Sequence, residues 1–150
     1  MSENKIKLDL GCGKEKKDGF IGIDINPQSQ ADIIASALNL PFKENSVDEI
    51  YSRHVGEHFS PIEIDIFFKE IYRVLKPGSK AFLKIDRDWS KKRLLKKDST
   101  HAYRYSTEEI RQHLKNFKFS KVKNTFYFTK TPDTFLGYTF YNKIFVWLEK

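Results

Sequence analysis

The stretch that decides the fold is K-L-D-L-G-C-G, which runs from Lys7 to Gly13. Residues 6–10 have the apolar, β-compatible character of a short strand, and two glycines separated by one residue follow directly. Glycine lets the backbone turn tightly at the end of a strand and lets a ligand come close to the main chain. The stretch therefore predicts a ligand-binding loop at the end of the first strand of a parallel sheet.

The size and composition of the chain predict a single domain over residues 1–150. A chain of 150 residues can bury a hydrophobic core without disulfides or metals. No apolar run approaches the roughly 20 residues that cross a bilayer, so we expect no membrane span. The first residues lack a signal-peptide pattern, and a single cysteine excludes an internal disulfide framework. Both features favour a cytoplasmic location.

The charge of the chain is basic, with 27 Lys and Arg against 20 Asp and Glu and a formal net charge of +7. Such a charge attracts anionic partners, including RNA, although a lysine-rich composition is also typical of an ordinary solvated surface. The densest basic stretch is residues 91–97, K-K-R-L-L-K-K. The basic charge therefore indicates either an anionic partner or an ordinary solvated surface.

The remaining pattern alternates strands and helices, as in an α/β fold. Capping boxes that begin at Ser60 and Ser106 predict helices over 61–75 and 106–116. After the first strand, we expect parallel strands over 20–25, 32–36, 47–52 and 81–85. Residues 121–129 and 139–148 are joined by a short connection, which predicts an antiparallel pair at the C-terminus.

The first two crossovers are too short for helices. Only residues 14–19 separate Gly13 from Phe20, whereas a crossover helix needs roughly ten residues or more, and 27–31 is equally short. The first crossover helix is therefore missing or minimal, and both predicted helices should lie on one face of the sheet. We expect the other face to be covered by a second copy, giving a homodimer, or by a partner chain; the alternative is cover by loops and aromatic side chains of the same chain.

An acidic residue, Asp24, ends the second predicted strand. A carboxylate at this position accepts hydrogen bonds from ribose hydroxyls, although an aspartate there can also cap a turn. A dinucleotide fingerprint would need a third glycine where Lys16 stands and an acidic residue about 20 positions on, so a dehydrogenase is disfavoured. No Gly-Lys-Ser/Thr ending is present, which excludes a P-loop.

Five motifs follow one another in order: residues 8–13 (LDLGCG), 21–25 (IGIDI), 40–42 (LPF), 46–50 (SVDEI) and 70–78 (EIYRVLKPG). Together they resemble the class I S-adenosylmethionine-dependent methyltransferases of the methyltransferase type 11 kind. The resemblance implies a Rossmann-like sheet, mostly parallel with an antiparallel C-terminal hairpin. It also implies S-adenosyl-L-methionine (SAM) as cofactor and methyl transfer as the activity.

The resemblance also implies a set of cofactor-binding residues. Those nearest the methionine part and the ribose are Asp9, Gly11, Cys12, Gly13 and Asp24. Those beside the adenine or the methionine end are Ile25, Ser36, Ala37, Leu38, Arg53 and His54. Ser36 stands where the family usually has an aspartate, and it offers a weaker hydrogen bond than a charged acceptor.

Methyl transfer from a sulfonium requires alignment of donor and acceptor and, for some acceptors, removal of a proton. His58 and His101 are the candidate bases, although each could equally cap a helix or pack. Four histidines without paired spacing predict no metal site.

The acceptor is open: a small or glycan-like metabolite, or RNA or another polyanion held by residues 91–97 with Tyr103 and Tyr105 for stacking. The alternative function is a non-catalytic SAM-binding module that regulates a partner protein.

Overall fold

The computed structural model describes residues 5–86, 103–130 and 138–150. Seven strands form one sheet in the order β3-β2-β1-β4-β5-β7-β6. Their bounds are β1 Lys7–Leu10, β2 Ile21–Asp24, β3 Ile33–Ile34, β4 Val47–Arg53, β5 Leu75–Asp86, β6 Phe119–Lys130 and β7 Tyr138–Glu149.

Strands β1 to β5 are parallel, and β7 pairs antiparallel with both β5 and β6. This is the predicted mostly parallel sheet with an antiparallel C-terminal hairpin. From β1 the chain continues to β2 on one side, while β4 lies on the other, so the strand order reverses at β1. Ligands of open α/β sheets bind at such a switch point, beyond the carboxyl ends of the strands.

Two helices and one short 3-10 turn are described. Helix α1 spans Pro61–Val74, α2 spans Thr107–Gln112, and the 3-10 turn spans Gly56–His58. Both predicted capping boxes are formed. Helix α2 is shorter than predicted because the His113 amide bonds to the Ile110 carbonyl at 3.1 Å, which turns the chain more tightly than an α-helix.

Both helices pack on the same face of the sheet. Ile64, Phe67 and Ile71 of α1 are fully buried against alternate residues of the central strands. Ile110 of α2 and the following Leu114 belong to the same hydrophobic cluster. Burial of this apolar surface is the main stabilising contribution to the fold.

The opposite side of the sheet, which we call the open face, carries no helix within the described residues. Residues 11–20 and 25–32 form turns, so the prediction of a missing first crossover helix is confirmed. Residues 14–20 cover the open face over β1, β2 and part of β4: Lys16 lies against Gly22, the Lys17 amide bonds to Asp9, and the Phe20 ring packs against Tyr51. Over β4, β5, β7 and β6 the open face presents Tyr51, Phe82, Phe145, Trp147, Lys80, Lys84, Lys121 and Lys123.

Strand β5 begins at Leu75, well before the predicted residue 81. The chain leaves α1 and at once pairs Leu75 with Val47, and the register then shifts before Lys80 pairs with Glu49. The turn-forming residues 76–78 therefore lie inside an irregular strand, which local sequence could not reveal. Among the described helices, none is long and apolar enough to cross a membrane.

Candidate active site

The glycine loop follows β1 and bends back over β2. Gly11 and Gly13 have φ of +66° and +55°, a conformation that other residues rarely adopt. A Cβ on Gly11 would also collide with the Val55 side chain. The Gly11 amide donates to the Ile23 carbonyl at 2.7 Å, which holds the loop against the end of β2. The loop therefore presents main-chain atoms at the switch point of the sheet.

Asp24 ends β2 directly beside this loop. Its Oδ2 accepts a hydrogen bond from the Gly13 amide and its Oδ1 one from the Asn26 amide, both at 2.8 Å. Each carboxylate oxygen has a second lone pair, so both can still accept a bond from a ligand hydroxyl. The Asp24 side chain therefore both orders the loop and remains able to bind a diol.

Residues that could contact a flat apolar ring lie next to Asp24. Ile25 is 73% exposed, so its side chain is free to contact a ligand beside Asp24. The Ala35 amide donates to the Asp24 carbonyl at 3.0 Å, which brings half-buried Ser36, Ala37 and Leu38 to the same edge. The Ser36 hydroxyl accepts from the Leu38 amide at 3.2 Å and thus shapes this turn.

Three of the sequence-predicted residues support the loop from below or from the side. Asp9 is 1% exposed and accepts a hydrogen bond from the Lys17 amide at 2.8 Å; burial raises the pKa of its carboxyl. The Cys12 thiol is buried against Gly22, and burial raises its pKa. Arg53 donates to the Glu15 carbonyl at 3.0 Å. These side chains hold the loop in place.

The loop after β4 carries a cluster of charged side chains around His54. The Nδ1 atom of His54 lies 3.2 Å from Glu57 Oε1 and 3.6 Å from Asp86 Oδ2, and its Nε2 lies 3.3 Å from Lys143 Nζ. Glu57 and Asp86 are 1% and 7% exposed. Val55, the next residue, contacts Gly11, so this His54 cluster adjoins the glycine loop.

The neighbours of His54 decide which of its nitrogens carries the proton. A lysine ammonium can only donate, so Nε2 of His54 must accept when Lys143 is charged. The ring proton then sits on Nδ1, where it is donated to Glu57. Burial lowers the pKa of Lys143, although the nearby Asp86 and Glu57 oppose that shift. When Lys143 is charged, Nε2 is therefore the hydrogen-bond acceptor atom of His54.

The same cluster offers possible metal ligands. One atom each from His54, Glu57 and Asp86 lies within 4.8 Å of the others. Lys143 already places a positive charge beside these carboxylates, so a metal ion would have to compete with it. The absence of a metal site therefore stays a prediction.

The structure does not place His58, one of the two predicted catalytic histidines, in this cluster. His58 is exposed at the end of the 3-10 turn, and His101 lies outside the described residues. Asp86 and Lys143 belong to the cluster but are not among the residues that the sequence predicts for the site. Asp86 ends the strand that follows α1, which is a usable signal for a site residue. Lys143 carries no local signal, because only the antiparallel register of β7 pairs it with Asp86.

The strand order, the glycine loop and the acidic end of β2 define the class: a class I methyltransferase-type sheet built to bind a nucleoside at its switch point. A family model described as "Methyltransferase domain" matches residues 8–83, just over half of the chain. The chain therefore belongs to the methyltransferase domain family, and the class I resemblance is confirmed. A search of curated proteins found no match.

Solved structures share the fold at low sequence identity. Phosphoethanolamine N-methyltransferase 2 from Haemonchus contortus, solved with SAM, superposes with a TM-score of 0.73 at 20% identity, covering 100% of this chain and 49% of that one. The chain thus spans about half the length of this neighbour. The YcgJ protein of Bacillus subtilis gives 0.74 at 15% identity, with 98% and 92% covered. A SAM-dependent methyltransferase from Archaeoglobus fulgidus gives 0.73 at 16% identity, with 99% and 87% covered.

Proposed function

We propose that this chain transfers the methyl group of SAM to a hydroxyl or amine group that gives up its proton to His54. The acceptor is a small or glycan-like metabolite, or RNA or another polyanion. The observation that carries the proposal is the His54 cluster, a histidine oriented by two buried carboxylates beside the glycine loop. The cytoplasmic location that the sequence predicts remains a prediction.

The residues around the switch point fit SAM. Gly11, Cys12 and Gly13 would lie under its methionine part, and Asp24, with lone pairs still open, would hold the ribose hydroxyls. Ile25, Ser36, Ala37 and Leu38 would line the adenine. When bound, the cofactor supplies a methyl group activated on a sulfonium. Asp9 and Arg53 would contribute indirectly, by holding the loop.

The His54 cluster would remove the acceptor's proton. Nε2 of His54 takes the proton from the acceptor hydroxyl or amine, while Glu57 keeps the other proton on Nδ1 and stabilises the imidazolium. An electron pair on the acceptor oxygen or nitrogen would form the new bond to the methyl carbon, and the carbon–sulfur bond would break with its electrons left on sulfur. Lys143 must move aside for the acceptor to reach Nε2.

A second feature of the cluster favours an acceptor with an O–H or N–H group. Glu57 Oε2 is buried and has no hydrogen-bond partner among the described residues. A buried acceptor atom left unpaired costs about 1–3 kcal/mol, so a donor group that reaches it gains affinity. In a non-catalytic SAM-binding module, this histidine and its two buried carboxylates would have no role.

The test is the substitution His54→Gln, with His58→Gln as the matched control. We expect transfer of labelled methyl from SAM to pooled metabolites or pooled RNA to fall about 100-fold or more in H54Q, because the base is lost. S-adenosylhomocysteine should still bind H54Q with less than about tenfold loss by calorimetry, because the glycine loop and Asp24, which would make most of the cofactor contacts, are unchanged.

The control H58Q should keep its activity, because His58 lies outside the cluster. Full methyl transfer by H54Q, or an equal loss in H58Q, would contradict His54 as the base. Binding of S-adenosylhomocysteine without transfer to any pool by the unmodified chain would favour the non-catalytic alternative.

A further inference from the structure

The open face carries a row of aromatic side chains at matched positions on three strands. Tyr51 of β4 lies opposite Phe82 of β5, which lies opposite Trp147 of β7. The ring centroids are 5.7 Å apart for the first pair and 5.4 Å for the second. All three side chains are only partly buried. This aromatic row exposes apolar surface that no described helix covers.

Basic side chains surround the aromatic row. Lys17 Nζ lies 4.3 Å from the Tyr51 ring centroid at one end, and Lys121 Nζ lies 5.8 Å from the Trp147 ring at the other. Strands β5 and β6 add Lys80, Lys84 and Lys123, which point to the same side. Their positive charge exceeds the negative charge of the neighbouring exposed acids.

The acids on this part of the face are already paired. Glu49 lies 3.0 Å from Lys7, and Glu149 lies 3.9 Å from Lys80. Neither pair involves Lys17, Lys121 or Lys123. The open face is therefore net positive around an apolar centre, which is a surface complementary to a polyanion with flat bases.

A groove runs along the aromatic row between β4 and β6. Its volume is about 580 Å³, and its lining includes the rings of Phe82 and Trp147, two lysines and two glutamates: Lys80, Lys121, Glu49 and Glu149. This volume falls within the range of about 300–1,000 Å³ that small-molecule sites occupy. The groove is large enough to take a nucleobase, with lysines at its rim for the adjoining phosphates.

We propose that the open face binds single-stranded nucleic acid. The bases pack on Phe82 and Trp147 in the groove, and the phosphates pair with Lys80, Lys121 and Lys123. Phe82 lies four residues before Asp86 on β5, or roughly 13 Å at 3.3 Å per residue. A nucleic-acid strand that leaves the groove and follows β5 past Lys84 would reach the His54 cluster.

A second copy of the chain is the less suitable occupant. In a two-fold dimer formed through this face, Lys121 and Lys123 of one copy would approach the same surface of the other, and like charges repel. Of the two rings that the sequence offers for stacking, Tyr103 is 37% exposed and its hydroxyl donates to Glu109 at 2.8 Å. Tyr105 is 2% exposed and donates to the Phe59 carbonyl at 2.7 Å. No base can stack on a buried ring.

The test is the anisotropy of a fluorescein-labelled 20-nucleotide oligouridine, with a DNA oligomer of the same length as a second probe. We expect the double variant K121E/K123E to bind about tenfold or more weakly, because two phosphate contacts are lost and two repulsions gained. The matched control is K115E/K118E, a charge reversal of two exposed lysines that follow α2 on the helix side of the sheet.

A second variant tests the aromatic row. Phe82→Ala should weaken binding by between about fivefold and 100-fold, with the fold verified by circular dichroism. For the unmodified chain, a plot of the logarithm of the binding constant against the logarithm of the salt concentration should be a falling line. Its slope should be about −0.7 for each phosphate contact with a single strand. Stronger binding of RNA than of DNA would identify the 2′-hydroxyl as a contact.

The proposal stands apart from the proposed function, because H54Q should bind the oligomer as the unmodified chain does. It is overturned if no binding is seen, or if K115E/K118E weakens binding as much as K121E/K123E. It is also overturned if light scattering shows a dimer whose mass returns to that of one chain in K121E/K123E, since the open face would then be a protein interface.

Discussion

At the scale of single residues, backbone conformation and close neighbours restrict which residue types fit at several positions of the site. Gly11 is needed because of its positive φ and because Val55 occupies the space that a Cβ would fill. His54 also has a positive φ, +57°, which is uncommon for a residue other than glycine. Its amide donates to the Lys84 carbonyl at 2.9 Å, which helps to hold this conformation. The backbone at His54 is thus constrained where the proposed chemistry takes place.

The positive charge of the His54 cluster belongs to Lys143, which leads to a prediction about metals. We expect EDTA to leave methyl transfer unchanged within about twofold, because the Lys143 ammonium already faces the buried carboxylates. In equilibrium dialysis against micromolar Mn²⁺, the unmodified chain and the His54→Gln variant should bind the same amount of metal. Loss of activity in EDTA that Mn²⁺ restores would instead identify His54, Glu57 and Asp86 as metal ligands.

At the scale of elements, α1 is the helix on which the core face depends, and its start is encoded locally. The Ser60 hydroxyl accepts from the Glu63 amide, and the Glu63 carboxylate accepts from the Ser60 amide at 2.9 Å. These bonds to Ser60 lower the pKa of the Glu63 carboxyl, so its charged form is the one that caps the helix.

The substitution Ser60→Ala should lower the free energy of unfolding by about 1 kcal/mol, because the cap is lost. Urea denaturation followed by circular dichroism measures the change. Ser60→Asp is the matched control, since aspartate also caps a helix, and it should retain most of the stability. An equal loss in both variants would show that the cap contributes nothing beyond the packing of α1.

At the scale of the whole molecule, the two sides of the sheet differ in how deeply their side chains are buried. The helix side buries the core, with Phe67 fully buried, whereas the open face leaves Phe82 partly exposed. Because burial sets the cost of removing a side chain, the two faces should respond differently to the same substitution.

Phe67→Ala should lower the free energy of unfolding by about 3–5 kcal/mol, whereas Phe82→Ala should cost clearly less, because less of its surface leaves water on folding. Denaturant titration of both variants measures the difference. Equal losses would mean that Phe82 is buried as deeply as Phe67, which would remove the basis for a nucleic-acid site on the open face.

The sequence by itself determined the class of the protein and most of its elements. The succession of strands along the chain follows from their apolar, β-compatible residues, and the helix starts at Ser60 and Ser106 follow from capping boxes. The missing first crossover helix follows from the shortness of residues 14–19. The glycine loop and Asp24 were also predictable, because each lies directly at the end of a strand that its own residues define.

Only the tertiary structure decided which polar residues act together. His54, Asp86 and Lys143 are far apart in the chain and meet because β4, β5 and β7 are neighbours in the sheet. The aromatic row on the open face arises in the same way, from the registers that align Tyr51, Phe82 and Trp147. Pairing register is set by the burial of whole strands rather than by any one residue, so local sequence cannot reveal it.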